Sequence, residues 1–360
     1  MSGSSHRDSA AARPVVAGVA SALPPPVAQG DVAAMAERLH PGLASSRLRA
    51  MFANAAIDTR HLALPLDAYA EPRSLGERSA LALRLGVDLS TRAAERALGA
   101  AGVAAADVET LVFVSSTVVR SPEAGTDLVD GLRLRPTVRR VPLVGMASLG
   151  GAAGVGLAAD LVRAGSGPVL VVAAEMNSLT ATAGDLSPEA VAILTLFSDG
   201  AAAVVVAPES DGGPRPRLEV VGYHSTLVPD SLDVMGFAMG DDGLRWHLSS
   251  RVPEVAAATV RPAVEAAVAS VGWSLDDLRH VLLHPGGAKV LDAVVDALGL
   301  PADALRWSRR RLAAHGNLSS VTLLTVLEDF LGDEPTPGRG IATAMGPGFG
   351  YESLLVELAG

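Results

Sequence analysis

"AAERALGAAGVAAADVETLVFVSS" (residues 93–116) is answered 170 residues later by "AVEAAVASVGWSLDDLRHVLLHPG" (263–286). Gly102 matches Gly272, and Asp107 matches Asp277, at that constant offset. Each copy reads as a helix, a loop carrying an Asp, and a short apolar strand. The chain beyond each copy also repeats: a turn, a small-residue helix, a turn and another strand. Two matched halves in the same order predict a duplicated fold. Further strand signals lie at 167–175 ("GPVLVVAAE") and 200–208 ("GAAAVVVAP"), with helical patterns at Thr91–Ala101 and Pro253–Val271. This alternation predicts an α/β fold with helices packed on sheets. Loops where two such halves meet are natural active-site material.

Composition narrows the function. The chain of 360 residues is 49% hydrophobic but only 3% aromatic, so its core is built from Ala, Val and Leu. The net charge is −10, Lys289 is the one lysine among 29 basic residues, and no basic run occurs, which argues against a nucleic-acid partner. The absence of cysteine excludes disulfides and thiolate metal sites. The longest apolar stretch, 149–173, is interrupted by Asp160, Arg163 and Gly165 and reads as a buried helix plus strand, not a membrane span. The opening "MSGSSHRDSAAARP" has no apolar core for a signal peptide. Residues 1–14 are therefore expected to be a disordered leader of a cytoplasmic protein, 15–212 the first half and 213–360 the second.

Three stretches place reactive groups in apolar surroundings. In "VPLVGMASLGGAAG" (141–154) a β-rich run stops at Gly145 and a small-residue helix begins after Ser148. Serine there reads either as a helix N-cap or as a nucleophile at the positive end of a helix dipole. In "LLHPGG", His284 ends a buried strand. In "AAHGNLSSVTLL", Asn317 opens a helix and is a cap by one reading and a donor by the other. At the offset of 170, Ser148 corresponds to Leu318, next to Asn317. A nucleophile facing His and Asn donors suits acyl transfer from a thioester. The same donors would stabilise the enolate left when a malonyl thioester loses carbon dioxide. No metal-ligand cluster or dinucleotide fingerprint is present, so no metal or redox cofactor is expected.

These residues carry a family resemblance. The chain resembles the type III polyketide synthases, the chalcone-synthase-like branch of the thiolase-fold condensing enzymes, from about residue 58 to the C-terminus. The matching blocks are "LRPTVRRVPLVGMASLGGAAG", "LFSDGAAAVVV", "VPDSLDVMGFAMGDDGLRWHLSSRVP", "HPGGAKVLDAV", "GNLSS" and "GPGFGYES". The resemblance implies a five-layered α/β/α/β/α duplication, a homodimer, and a Cys, His, Asn triad. His284 and Asn317 stand in the matching places, and Ser148 stands in that of the cysteine. It also implies that Phe197 and Trp246 gate the pocket. Glu175, Asn177, Thr180 and Ser319 would line it, and Ser121 would sit where a neighbouring subunit intrudes. The pantetheine arm would lie along Gly286, Gly287, Gly346, Pro347 and Gly348. Of the basic positions that grip CoA phosphates, Arg47 is kept, while Ala50 and Asn54 replace two others. That leaves room for a donor carried on an acyl carrier protein.

Serine changes the implied mechanism. A thiolate can exist at neutral pH beside an imidazolium and a helix N-terminus, whereas a serine hydroxyl stays protonated. Ser148 must lose its proton during attack, with His284 as general base. The resulting oxyester would react slowly with the next carbanion. The expected activity is decarboxylative condensation of an acyl thioester starter with a malonyl-type extender. The serine is either natural or an engineered cysteine replacement. The alternatives are a non-condensing acyltransferase, a thioester hydrolase, or an inactive partner subunit.

Overall fold

Gly102 and Gly272 both turn the chain through positive φ (64° and 74°), and both are followed by a 3-10 turn, Ala105–Asp107 and Leu275–Asp277. The duplication read from residues 93–116 and 263–286 is thus present in the backbone. The computed structural model describes residues 12–39, 46–180, 188–210 and 218–359. Residues 1–11 of the expected leader fall outside these, and Pro14 opens the first strand.

The first half runs β1 (Pro14–Ala22), β2 (Pro26–Ala28), α1 (Gln29–Leu39), α2 (Ser46–Ala53), β3 (Thr59–His61), α3 (Leu75–Ala101) and β4 (Thr110–Ser115). It continues through α4 (Gly125–Gly131), β5 (Arg139–Val144), α5 (Gly150–Arg163), β6 (Val169–Met176), α6 (Pro188–Leu196) and β7 (Asp199–Pro208). The second half runs β8 (Leu218–Leu227), β9 (Met235–Gly240), β10 (Gly243–Leu248), α7 (Val252–Ala269), β11 (Leu278–Leu283) and α8 (Ala288–Leu298). It ends with α9 (Arg306–His315), α10 (Thr322–Gly332), β12 (Gly338–Gly346) and β13 (Gly350–Leu358).

Nine strands pair in the order β11-β12-β13-β8-β1-β7-β6-β4-β5. In the sheet the halves join where β1 meets β8, through the pairs Val15–Glu219 and Val16–Leu218. Alternation of side chains along the strands then sorts the core into layers. In β4, Leu111 and Phe113 face Ala93, Ala94 and Ala97 of α3 on one side. Val112 and Val114 face the opposite way, toward α5 and α10. The same central cluster takes Val220, Ala342 and Leu354 from the second half. Beyond them, Leu283, Ile341 and Leu355 pack against Val260, Val264 and Leu291 of α7 and α8. The result is five layers, α/β/α/β/α, with α5 and α10 in the middle, as expected.

The central layer is thin because its helices are small-sided. A Cβ at Gly151 would overlap the Ser320 carbonyl, and one at Gly156 would overlap the Tyr223 ring. Glycine costs a helix about 1 kcal/mol relative to alanine. Here the close approach of backbone and ring requires it.

The helices of this layer correct one expectation. α5 opens at Gly150 and α10 at Thr322, an offset of 172, and each is preceded by a 3-10 turn, Ala147–Leu149 and Ser319–Val321. Ala147 (φ 44°) and Ser319 (φ 54°) share the same left-handed backbone at that offset. The counterpart of Ser148 is therefore Ser320, not Leu318: the loops before the two helices differ by two residues. Among the described residues, no helix is long and apolar enough to cross a membrane.

Candidate active site

Ser148 lies in the middle of its 3-10 turn and is 7% exposed. It is not an N-cap, because Leu149 takes that position at α5 and no side chain caps it. Its Oγ makes no hydrogen bond to any described residue. The hydroxyl is left next to the first turn of a 14-residue helix, in the positive field of its dipole. The strained φ of Ala147 is held from below. Ala147 N–H donates to Ser116 Oγ (3.0 Å), and Ser116 N–H reaches both oxygens of Glu175 (3.2 Å each).

Glu175, at the end of β6, is fully buried. Thr117 Oγ1 donates to it at 2.6 Å and Ser320 Oγ at 2.7 Å. Burial pushes its carboxyl up to about 7. This side chain ties the turn carrying Ser148 to the equivalent turn of the second half.

His284 comes directly after β11, whose ladder with β12 extends one step through His284 N–H to Thr343 O (2.9 Å). Its ring is 1% exposed, and Nδ1 is buried without a hydrogen-bond partner. Burial alone pushes the imidazole down to about 4, so it is neutral at neutral pH and able to take a proton.

Asn317 is stitched by its backbone to the segment around Phe197: its N–H donates to Leu196 O (2.8 Å) and its carbonyl accepts from Ser198 N (2.8 Å). Its Oδ1 accepts from Ser319 N (2.8 Å) and Thr322 Oγ1 (3.4 Å), which makes Nδ2 the outward donor. Nδ2 lies 3.5 Å from Gly286 O, in the turn directly after His284. Asn317 is not a helix cap: Leu318 precedes the 3-10 turn and Val321 precedes α10, neither helix end is capped by a side chain, and Oδ1 instead closes a local turn on Ser319 N.

The other expected site residues form a continuous set of contacts with Asn317. Phe197 and Trp246 rings lie 5.8 Å apart. Trp246 Nε1 donates to Thr180 Oγ1 (3.2 Å), which donates to Asn177 O (2.7 Å). Asn177 Nδ2 donates to Ser198 O (2.7 Å). Asn177 Oδ1 and Ser319 Oγ are buried without partners. Gly346 presses on Leu149, where a Cβ would come 2.8 Å from its Cγ, so the Gly346–Pro347–Gly348 loop flanks the Ser148 turn. Gly287 precedes α8 in extended backbone. Ser121 is exposed. The Arg47 side chain lies outside the described residues. No hydrogen bond joins Ser148 directly to His284 or Asn317.

Phe237 was not anticipated. It pairs across the β9–β10 hairpin with Trp246, ring to ring at 5.1 Å. The period-two pattern of "MGFAMGDDGLRWHL" around its Asp-Gly turn is the signal that would have found it.

A duplicated, five-layered α/β chain with central helices opening beside Ser148 and Asn317 has the thiolase fold. The sequence matches the models for chalcone and stilbene synthases, N-terminal domain over residues 45–210 and C-terminal domain over residues 219–359. The protein belongs to this family, the type III polyketide synthases. It is 39% identical to 1,3,6,8-tetrahydroxynaphthalene synthase of Streptomyces peucetius subsp. caesius, over 95% of this chain and 92% of the relative. It superposes on PKS-I from the brown alga Ectocarpus siliculosus with a TM-score of 0.91 at 25% identity, covering 98% of this chain and all of that one. On 1,3,6,8-tetrahydroxynaphthalene synthase from Streptomyces coelicolor A3(2), a bacterial type III polyketide synthase, the TM-score is 0.89 at 26% identity, covering 96% and 99%.

Proposed function

We propose that this protein condenses an acyl thioester starter with a malonyl-type extender by decarboxylative Claisen chemistry, with Ser148 in the nucleophile position. Ser148 Oγ attacks the starter carbonyl while its proton passes to His284, and the thiol leaves carrying a proton. Asn317 Nδ2 and His284 then hold the extender's thioester carbonyl as carbon dioxide departs. The enolate attacks the Ser148 ester, a carbon–carbon bond forms as the ester C–O bond breaks, and the departing serine oxygen takes a proton supplied by water. No metal or redox cofactor takes part. The supporting observation is the neutral, buried His284, whose Nδ1 has no partner, together with an Asn317 amide whose Oδ1 is engaged and whose Nδ2 lies 3.5 Å from Gly286 O, two residues beyond His284.

A hydroxyl in place of a thiol has a consequence. An oxyester is the poorer acyl donor, so the extension step limits the rate. The donor is a CoA or an acyl-carrier-protein thioester; exposed Ala50 and Asn54 leave the phosphate-gripping surface short of charge and favour the carrier. The working unit is a cytoplasmic homodimer. Its contact is the open sheet edge at β5, where Val144 is 59% and nearby Val119 55% exposed. Ser121 stands next to that patch.

The test is sequential. Incubation with acyl-CoA, and separately with acyl carrier protein, should leave a mass adduct on Ser148. Added malonyl thioester should release carbon dioxide and lengthen the chain. An adduct that passes only to alcohols, amines or water would replace condensation with acyl transfer or hydrolysis. Carbon dioxide without an adduct would remove Ser148 from the mechanism. Neither product would leave a non-catalytic subunit.

A further inference from the structure

His61 ends β3 and His315 ends α9, 254 residues apart. Their ring centroids are 4.9 Å apart, and His61 Nε2 lies 2.7 Å from His315 Nδ1. A nitrogen–nitrogen contact this short is a hydrogen bond, and its flanks decide its direction. His61 Nδ1 is 2.6 Å from the Pro24 carbonyl, which only accepts, so Nδ1 carries the hydrogen and Nε2 accepts. His315 Nδ1 is then the donor. Its Nε2 accepts from Arg311 Nη1 (2.9 Å), which only donates. Each imidazole is therefore neutral and limited to one tautomer.

The chain of bonds continues and closes. Arg311 pairs with Asp329 (2.6 Å) and Glu328 (3.4 Å) of α10. Glu328 accepts from Ser21 Oγ (2.6 Å) and Ser21 N (3.1 Å). Ser21 and Pro24 flank the end of β1, so the circuit returns to where it began.

The circuit fixes the last turn of α9, and Gly316 and Asn317 come immediately after it. Asp58 N–H also holds this turn, at Ala313 O (2.7 Å). Gly316 has φ 68° and no room for a side chain: a Cβ would come 2.9 Å from Arg60 Cδ, Leu196 O and Ser198 Oγ. Arg60 is itself 2% exposed, bound to Leu194 O (2.8 Å) and Ser198 Oγ (3.1 Å). The segment packs against Arg60 at Gly316 and is joined through His315, the residue before it, to the paired rings.

We propose that His315, braced by His61, is a positioning residue for Asn317. The two imidazoles form a rigid spacer that sets the height of the Gly316–Asn317 segment and hence the aim of Nδ2. The effect on rate rests on Asn317 acting as a thioester-carbonyl donor, as proposed above; the effect on the segment does not.

Amide hydrogen exchange over residues 312–321 is expected to quicken about tenfold in His315→Leu, while the turn at 145–150 exchanges as in the parent. In His315→Gln, whose amide can donate to His61 and accept from Arg311, exchange returns to the parent rate. Malonyl-CoA decarboxylation is expected to lose about tenfold in kcat in His315→Leu with KM held within about twofold. In an Asn317→Ala background the same change should cost less than about twofold, because the two act as one unit. If His315→Leu does not fold, His61→Ala carries the same comparisons. Unchanged exchange at 312–321 overturns the spacer. Equal losses in both backgrounds overturn its link to Asn317. A parent protein that releases no carbon dioxide overturns the condensing reading, and the exchange data then judge the spacer separately.

Discussion

Ser148 and Ser320 occupy the same place in the two halves, each in a 3-10 turn before a central helix, and their hydroxyls have opposite surroundings. Ser320 Oγ donates to buried Glu175 at 2.7 Å, whereas Ser148 Oγ has no partner among the described residues. One copy of the duplicated turn is committed to holding the halves together. The other leaves its hydroxyl free of protein partners among the described residues and 7% exposed.

That asymmetry sets the first prediction. Ser148→Ala should abolish the acyl adduct while leaving malonyl decarboxylation, which depends on His284 and Asn317, within about threefold of the parent. Ser148→Cys should raise the rate of chain extension by about tenfold or more, since a thioester is the better acyl donor and a thiol ionises far more readily. Intact mass and product formation read both. Equal extension by serine and cysteine forms would place the slow step elsewhere.

His284 supplies a pH dependence. Burial holds its folded pKa near 4, below the ordinary 6.5, so the neutral base is present throughout the neutral range and is lost only as pH falls through about 4. The unfolded chain binds the proton more readily. Stability from this group is therefore complete above about pH 6.5 and lost as pH falls toward 4, by about 3 kcal/mol in all. Denaturant unfolding between pH 4 and 7 should show a shallower acid loss in His284→Gln than in the parent. His284→Ala should also abolish carbon dioxide release; a variant that kept it would contradict the assigned role.

The rings of Phe197, Trp246 and Phe237 predict starter selection. Trp246→Ala removes the middle ring of three and frees Thr180 Oγ1 from its indole donor. It should admit bulkier acyl thioesters, with kcat/KM for a long-chain starter rising about tenfold relative to acetyl. Phe237→Ala should move the preference in the same direction by less, since the Phe237 ring contacts Trp246 at 5.1 Å and would act on the expected gate through that indole. An unchanged ranking of starters in both variants would remove the hairpin from selection.

Assembly gives the last prediction. For the proposed homodimer, Val144→Arg at the end of β5 places a further charge in the exposed edge, and light scattering should report a dimer for the parent and a monomer for the variant. Circular dichroism should be unchanged, because Val144 is 59% exposed and packs little within its own chain. A variant that remains dimeric would move the contact to another surface.

The duplication was legible because its signals are local, whereas the five layers came from the family resemblance. Gly102 and Gly272 need positive φ, and Asp107 and Asp277 close the turns beyond them, so both halves show the same punctuation. The register between the halves was less so. Two additional residues in a loop carry no periodicity, and the match slid from 170 to 172 before it reached Ser148. The cap reading of Ser148 failed because a 3-10 turn, which sequence does not distinguish from the first turn of a helix, intervenes. His61, His315 and Arg60 were not legible as a unit: their partners are far away along the chain, and no spacing rule connects them. Asn317 and His284 came from the family's motifs more than from local pattern.

The glycines of α5 reach beyond helix packing. Because Gly151 lies against the Ser320 carbonyl of the neighbouring central turn and Gly156 against the Tyr223 ring of β8, a single added methyl on α5 would act as a wedge inside the middle layer. Larger side chains on this face of α5 would push it off the Ser320 turn or off β8. Under the proposed condensing reaction, changes meant to retune product size therefore belong on the β9–β10 hairpin and its neighbours, with these two glycines left alone.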